Sequence, residues 1–348
     1  MKTINRYCLL LFFCISYWSC SSPETEKYQY NRDNVIQVMD KIKEIEIDSV
    51  ILNSSCSLYI IDDYLLIVDY KSYDYLISLF DKNKFHYITS TAYKGQGVGE
   101  IANIGYLGID NAHRQFNVSD YGKQTVFCYN LDSVLINPSY IPSKKLNIYG
   151  DKALEQYKYI NDTTCIGLIF EPISVSDFKL SVGTQNMNTG EFKLMPYIHP
   201  DIEKKRVSFD VSPKYDMYVE CYRGQNLMTI CTLNGDLKYN IYGGNDWNDN
   251  QGKRHIEYFQ QVALAGDKIM ALYLNDNGYV KDPAKGIVGN LATKLLVFDL
   301  NGNYIATLET GYHICHFCYD EANNRIILNM NDDMQFGYLN LEGLVKVS

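Results

Sequence analysis

Four oxygen-bearing side chains stand at the spacing that a calcium loop uses. Asp246, Asn248 and Asn250 fall at positions one, three and five of a twelve-residue stretch, and Glu257 falls at position twelve. Calcium takes six to eight hard oxygen ligands, and this spacing curls them about one point. Gln251, however, stands where the sharp turn of such a loop needs glycine, Lys253 and Arg254 add positive charge, and no helical pattern flanks the stretch. A solvated connection is the expectation here, with no cofactor and calcium as the alternative. His313, Cys315, His316 and Cys318 are zinc-type ligands. On a strand they alternate between faces, so the four cannot meet one tetrahedral ion, and no metal is expected there either. No G-x-S-x-G, H-E-x-x-H or Ser-His-Asp arrangement stands out, and no catalytic residue is assigned.

The loop Gly95-Gln96-Gly97-Val98-Gly99-Glu100 has the glycine content of a phosphate cradle. It lacks the following Lys-Ser/Thr and the helix whose N-terminal amides would face a phosphate. A connection that needs positive φ, with Glu100 accepting loop amides, is the expectation.

Cys20 offers a different chemistry. Lys2 and Arg6 precede an apolar run, Tyr7 to Trp18, too short to cross a bilayer as a mature helix, and Ser19-Cys20 follows. This is signal-peptide geometry, with cleavage before a cysteine that takes acyl chains. Tyr17 and Trp18 depart from the Leu and small residue usual before a lipidated cysteine. Residues 1–19 are therefore read as a signal peptide and residues 20–33 as a flexible tether. The expected location is the cell envelope, lipid-anchored, at the outer membrane.

Removing residues 1–19 takes away Lys2 and Arg6, so the mature charge is 30 − 41 = −11. Such a chain is a poor partner for nucleic acid. Neutral ligands, cations, glycans and basic protein surfaces remain open. Seven of the ten cysteines lie beyond Cys20, mostly within apolar runs such as VFCY around Cys128, and read as small buried hydrophobes.

The scaffold that must position any site is β-rich. Val35, Val38, Met39 and Ile42 fit a short helical stripe, after which helical periodicity almost vanishes. Short runs rich in Tyr, Ile, Val, Leu and Phe then alternate with Asn, Asp and Gly turns. A unit recurs: Leu65 to Asp81 (LLIVDYKSYDYLISLFD) and Phe116 to Asp132 (FNVSDYGKQTVFCYNLD) place Asp69 and Asp120 at equivalent strand ends. These two carboxylates are expected to accept turn amides. Closing turns recur near 81, 130, 188, 234, 301 and 341, the spacing of blade-type repeats. A six-bladed β-propeller over residues 34–348 accounts for them. A large β-sandwich, the alternative, explains the alternation but not the recurrence.

The lipoprotein-like start, the LLIVD…LFD unit and the Gly95, Gly97, Gly99, Glu100 loop together resemble the TolB-like six-bladed propeller lipoproteins of Bacteroidetes. That family carries Gly-x-Gly-Pro-Gly-Glu after the first blade and blades ending in Phe-Asp-x-x-Gly. This chain has Val98 in place of the proline and matches the second motif at Phe298-Asp299-Leu300-Asn301-Gly302. The resemblance implies a cell-envelope propeller lipoprotein and no particular reaction.

The expected function is a binding or scaffolding module, a monomer held to the membrane by its lipid, with a glycan or an envelope protein as partner. The 31 tyrosines suit such a role, since an aromatic face with a hydroxyl stacks on sugars. A hydrolase or lyase with a carboxylate-lined central channel is the rival. Cys20→Ala is expected to move the protein from the membrane fraction to the soluble fraction, because the acyl chains alone tether it. An unchanged membrane fraction on cell fractionation contradicts the lipid anchor.

Overall fold

The computed structural model describes residues 25–137, 139–148, 152–175, 177–248 and 255–345. The apolar runs become six separate four- or five-stranded sheets, and a two-stranded hairpin, Tyr279–Asp282 with Gly286–Gly289, stands apart from them. In chain order their first, inner strands are Ser57–Ile61, Ile104–Asp110, Ala153–Tyr159, Val207–Ser212, Ile256–Ala265 and Ile314–Asp320. Each inner strand packs against the inner strands of the sheets before and after it, and the last packs against the first. The sheets are therefore the blades of a six-bladed propeller, numbered here 1 to 6, and the sandwich alternative is excluded.

The alternation of side chains explains why the blade strands read as continuous apolar runs. In Tyr64–Val68 of blade 1, Leu65 and Ile67 pack with Ile327 and Phe336 of blade 6. Leu66 and Val68 point the other way, onto Leu107 and Phe116 of blade 2. A strand between two neighbouring blades has no polar face to show. The other four seams are filled likewise, each by its own cluster, so the core is a ring of interleaved layers. The seven described cysteines are free thiols, five of them buried within these layers.

The recurrent closing turns all lie after the third strand of a blade. Asp81 Oδ1 accepts the amides of Asn83 and Lys84 at 2.8 Å, and Asp299 Oδ1 accepts those of Asn301 and Asn303 at 2.9 and 2.8 Å. Gly190, Gly235, Gly302 and Gly343 hold positive φ in four of these turns, where a side chain would be strained. In blade 2 the turn is enlarged by a one-and-a-half-turn helix, Leu131–Ile136, capped by Asn130.

The N-terminal segment departs from its expected form. Glu26–Tyr28 pairs in parallel with Leu237–Tyr242, the outer strand of blade 4. Val35–Gln37 pairs in parallel with Tyr304–Glu309, the outer strand of blade 5. Lys43–Glu44 then supplies the fourth strand of blade 6, antiparallel to Phe336–Asn340. The expected helical stripe is thus a strand followed by a single 3-10 turn, Met39–Lys41. Outer blade edges carry unpaired amides and carbonyls, and satisfying them outweighs a local helical spacing. Residues 25–33 of the expected tether belong to this belt, and residues 20–24, with Cys20, lie outside the described residues.

Asp69 and Asp120 stand at the ends of the second strands of blades 1 and 2. Asp69 accepts the amides of Lys71 in its own turn and Asn53 in the segment leading into blade 1. Asp120 is fully buried and accepts four amides: Gly122 and Lys123 on one side, Ala102 and Asn103 on the other. Each carboxylate ties a turn to the connection that enters the same blade. Asp120→Ala leaves several of these donors without a partner and is expected to destabilise the fold by about 2–3 kcal/mol in denaturant melts. A loss under about 0.5 kcal/mol contradicts this role.

Candidate functional site

Six inner strands running side by side enclose a channel of about 1260 Å³. Its wall mixes apolar side chains with polar ones, and because these strands belong to separate sheets and form no ladder with one another, some of the polar ones stitch the seams. Inward side chains bridge four of the seams. Gln156 Oε1 accepts the Phe209 amide at 2.8 Å. Asp210 Oδ2 accepts that of Leu264 at 2.7 Å. Gln261 Oε1 accepts that of Phe317 at 2.9 Å, and His316 Nδ1 accepts that of Leu58 at 3.1 Å. Gln156 reaches its position from a bulge with φ of +46°, where the register of Ala153–Tyr159 shifts. Asp210 also forms an ion pair with Lys158 at 2.7 Å.

Tyrosines gather at the strand-start mouth, between blades 1, 2 and 3. Tyr59 and Tyr106 project from the inner strands of blades 1 and 2 and meet edge-on, ring centres 6.0 Å apart. The Tyr106 hydroxyl donates to the Tyr157 carbonyl at 3.3 Å. Tyr70 and Tyr121 come from the turns that Asp69 and Asp120 hold, each tyrosine following its aspartate directly. Tyr70 is 39% exposed and donates to Ser57 Oγ at 3.3 Å. Tyr121 lies over Gly105, where a Cβ would strike its ring, and donates to Glu155 Oε1. Burial raises the hydroxyl pKa of all four tyrosines, with Glu155 adding to the rise at Tyr121 and Asp210 at Tyr106. They are neutral hydrogen-bonding aromatics at physiological pH.

The residues singled out in the sequence lie elsewhere. Gly95, Gly97, Gly99 and Glu100 form the connection from blade 1 to blade 2. The Glu100 carboxylate accepts the Gly97 amide at 2.6 Å, and a Cβ at Gly95 or Gly97 would strike that carboxylate. Lys123 donates to the carbonyls of Gly97 and Glu100, both at 2.7 Å. Of the calcium-spaced set, Asp246 is exposed and Asn248 half-buried after blade 4, and Asn250 lies outside the described residues. Glu257 is committed to an ion pair with Arg223. His313 pairs with Asp332, Cys318 packs between blades 1 and 6, and His316 faces the channel. No group of three or more His, Cys, Asp or Glu among the described residues is arranged to hold a metal ion.

Tyr59, Tyr70, Tyr106, Tyr121 and Glu155 went unassigned in the sequence because 31 tyrosines gave no basis for choosing among them. One signal was present: Asp-Tyr recurs at 69–70 and 120–121, at the same place in two repeats.

No family profile matches the chain, and no curated protein matches it in sequence. Its fold is similar to that of several solved structures. A member of the DUF4221 family from Bacteroides vulgatus superposes with a TM-score of 0.66 at 12% identity, over 91% of this chain and 100% of that one. A protein from Bacteroides fragilis described as exported gives 0.55 at 10% identity, over 93% and 99%. A β-propeller domain from Myceliophteria thermophila gives 0.51 at 9% identity, over 85% and 99%. At these identities the likeness is one of fold, and the fold is a β-propeller.

Burial pushes the His316 imidazole down to about 4, below its ordinary value near 6.5. The unfolded chain therefore binds the proton more readily than the folded one. His316's contribution is complete above about pH 6.5 and is lost as pH falls toward about 4. His316→Gln keeps an acceptor for the Leu58 amide and removes the titration. The wild type is expected to lose thermal stability more steeply than this variant between pH 7 and 5. Parallel profiles contradict the assignment.

Proposed function

We propose that this chain is an exported, lipid-anchored propeller of the bacterial cell envelope, facing the periplasm or the cell surface from the outer membrane. It works there as a binding module, with its ligand seat at the tyrosine-lined mouth of the channel. The observation that carries the reading is the placement of Tyr70 and Tyr121. Two turns fixed by Asp69 and Asp120 aim aromatic side chains over the channel. Structural turns alone do not require a tyrosine at that position, whereas a binding surface uses large, amphipathic side chains of low conformational entropy. The carboxylates of the wall do not favour the hydrolase or lyase alternative. Asp210 is occupied by Lys158 and the Leu264 amide, and Asp320 by Arg325 and Lys82.

The anchor rests on Cys20 and the apolar run before it; the likeness in fold to a Bacteroides protein described as exported agrees with export alone. No helix among the described residues is long and apolar enough to cross a membrane. The Thr25 carbonyl already accepts the Asn240 amide of blade 4 at 2.7 Å. The five Cα–Cα steps from Cys20 to Thr25 span at most about 18 Å. A lipid on Cys20 therefore holds the rim of blade 4 close to the bilayer.

Thermal unfolding of the mature protein against a panel of oligosaccharides, amines and short peptides tests the binding role. At least one class is expected to raise the wild-type Tm by several degrees and to leave the Tyr70→Ala/Tyr121→Ala double variant unmoved. Equal stabilisation of both proteins places the seat elsewhere. Turnover of a glycoside, ester or uronide substrate that Glu155→Gln abolishes would make the protein an enzyme.

A further inference from the structure

The channel carries charge as well as rings. Its lining holds seven carboxylates against three lysines, a net of −4 (3 − 7). Most of these acids are neutralised where they stand: Asp210 by Lys158, Asp320 by Arg325 and Lys82, Asp62 by Arg114, Glu321 by Lys214. Asp110 pairs only with His113 and Asp162 makes no ion pair with a described residue, both at or just past the far ends of their inner strands; Glu155 is the acid left at the tyrosine mouth. It makes no ion pair with a described residue, and its hydrogen bond comes from the Tyr121 hydroxyl, a neutral donor. The carboxylate therefore has no described counter-charge, and it lies at the mouth beside Tyr70, Tyr106 and Tyr121, whose hydroxyls all feel it. On the blade 4 wall of the same channel, Ser208 is buried, and its Oγ has no hydrogen-bond partner among the described residues. Strand alternation puts Ser208 on the face of Asp210, toward the channel.

We propose that the mouth binds a small organic cation, an amine or quaternary ammonium. Its charge sits against Glu155 and its alkyl groups lie on the faces of Tyr70, Tyr106 and Tyr121. The proposal rests on the binding role assigned to this mouth and names the chemical class it takes. An aromatic face attracts a cation through its quadrupole, and the attraction is strongest where water is displaced. A carboxylate adds a charge-assisted hydrogen bond when the cation is an amine. A neutral sugar would use the rings but gain little from the unpaired charge. An anion would be repelled by the unpaired carboxylate at this mouth. On the blade 4 wall, the Ser208 hydroxyl can donate to or accept from a second polar group of a longer ligand.

Calorimetric titration of the mature protein with spermidine, choline and maltotriose tests the class. Spermidine or choline is expected to bind saturably, at least tenfold more weakly in Glu155→Gln, and more weakly as salt rises from 50 to 500 mM. Gln keeps an acceptor for Tyr121, and an unchanged circular dichroism spectrum and Tm confirm that the variant folds. Maltotriose binding that depends on Tyr70 and Tyr121, with no binding of either cation, overturns the cationic class and leaves the mouth as the seat. Cation binding that survives both Glu155→Gln and Tyr70→Leu overturns the assignment of the cation to this mouth. Failure of all three probes to bind wild type overturns the cationic class, and the wider ligand panel then decides separately whether the mouth is a seat at all.

Discussion

The inner edge of each blade is the constraint on which the rest of this structure depends. An inner strand pairs with its own second strand on one side, while the other side faces the next blade without a ladder. Buried backbone amides left there cost free energy unless something accepts from them. Gln156, Asp210, Gln261 and His316 fill that role, each reaching across one seam to an amide of the following blade. The polar side chains of the channel are there because they complete the hydrogen bonding of its own wall. The seams on either side of blade 2 are built otherwise. Tyr106 meets Tyr59 across one of them and donates to the Tyr157 carbonyl across the other. That is where the aromatic mouth lies, so the candidate seat occupies the part of the ring that the stitching residues leave to rings.

The outer edges pose the complementary problem, and the N-terminal segment answers it. Residues 26–44 visit blades 4, 5 and 6 in turn, adding a strand to each and closing the ring on the last. Closure by the two chain termini makes separation of blades 6 and 1 require release of the strand Lys43–Glu44 as well as of the apolar layer between them. The same belt couples architecture to location. A lipid on Cys20 would act on a segment that is already part of three sheets, so the anchor would fix the propeller's orientation at the membrane as well as its distance.

Local chemistry was legible in the sequence and non-local pairing was not. The closing turns could be read because an Asp or Asn accepting amides two and three residues on, followed by glycine at positive φ, is complete within a few residues. Asn186 shows it in full, with Gly190; Asp81 accepts likewise but has Phe85 at positive φ, and Asp299 accepts from Asn301 and Asn303 on either side of Gly302. Asp69 and Asp120 could be aligned for the same reason, and the Glu100 loop interpreted. The belt could not be read, because the partners of residues 26–44 lie some 200 to 300 positions away. Val35, Val38, Met39 and Ile42 matched a helix in spacing, while the blade edges waiting for them decided their form. The mouth was hidden for a related reason: only a closed ring determines which of 31 tyrosines face its axis. The Asp-Tyr recurrence was visible, but its meaning depended on knowing that both turns fold inward.

The central claim is that turns pinned by Asp69 and Asp120 present Tyr70 and Tyr121 to a ligand at the channel mouth. Fluorine NMR on protein carrying 3-fluorotyrosine at position 70 or 121 observes that mouth directly. During titration with any compound that stabilises the protein, both resonances are predicted to shift and saturate at the concentration that saturates the thermal stabilisation. A stabilising compound that leaves both resonances unmoved binds elsewhere, and the account of the mouth as the ligand seat would then be wrong.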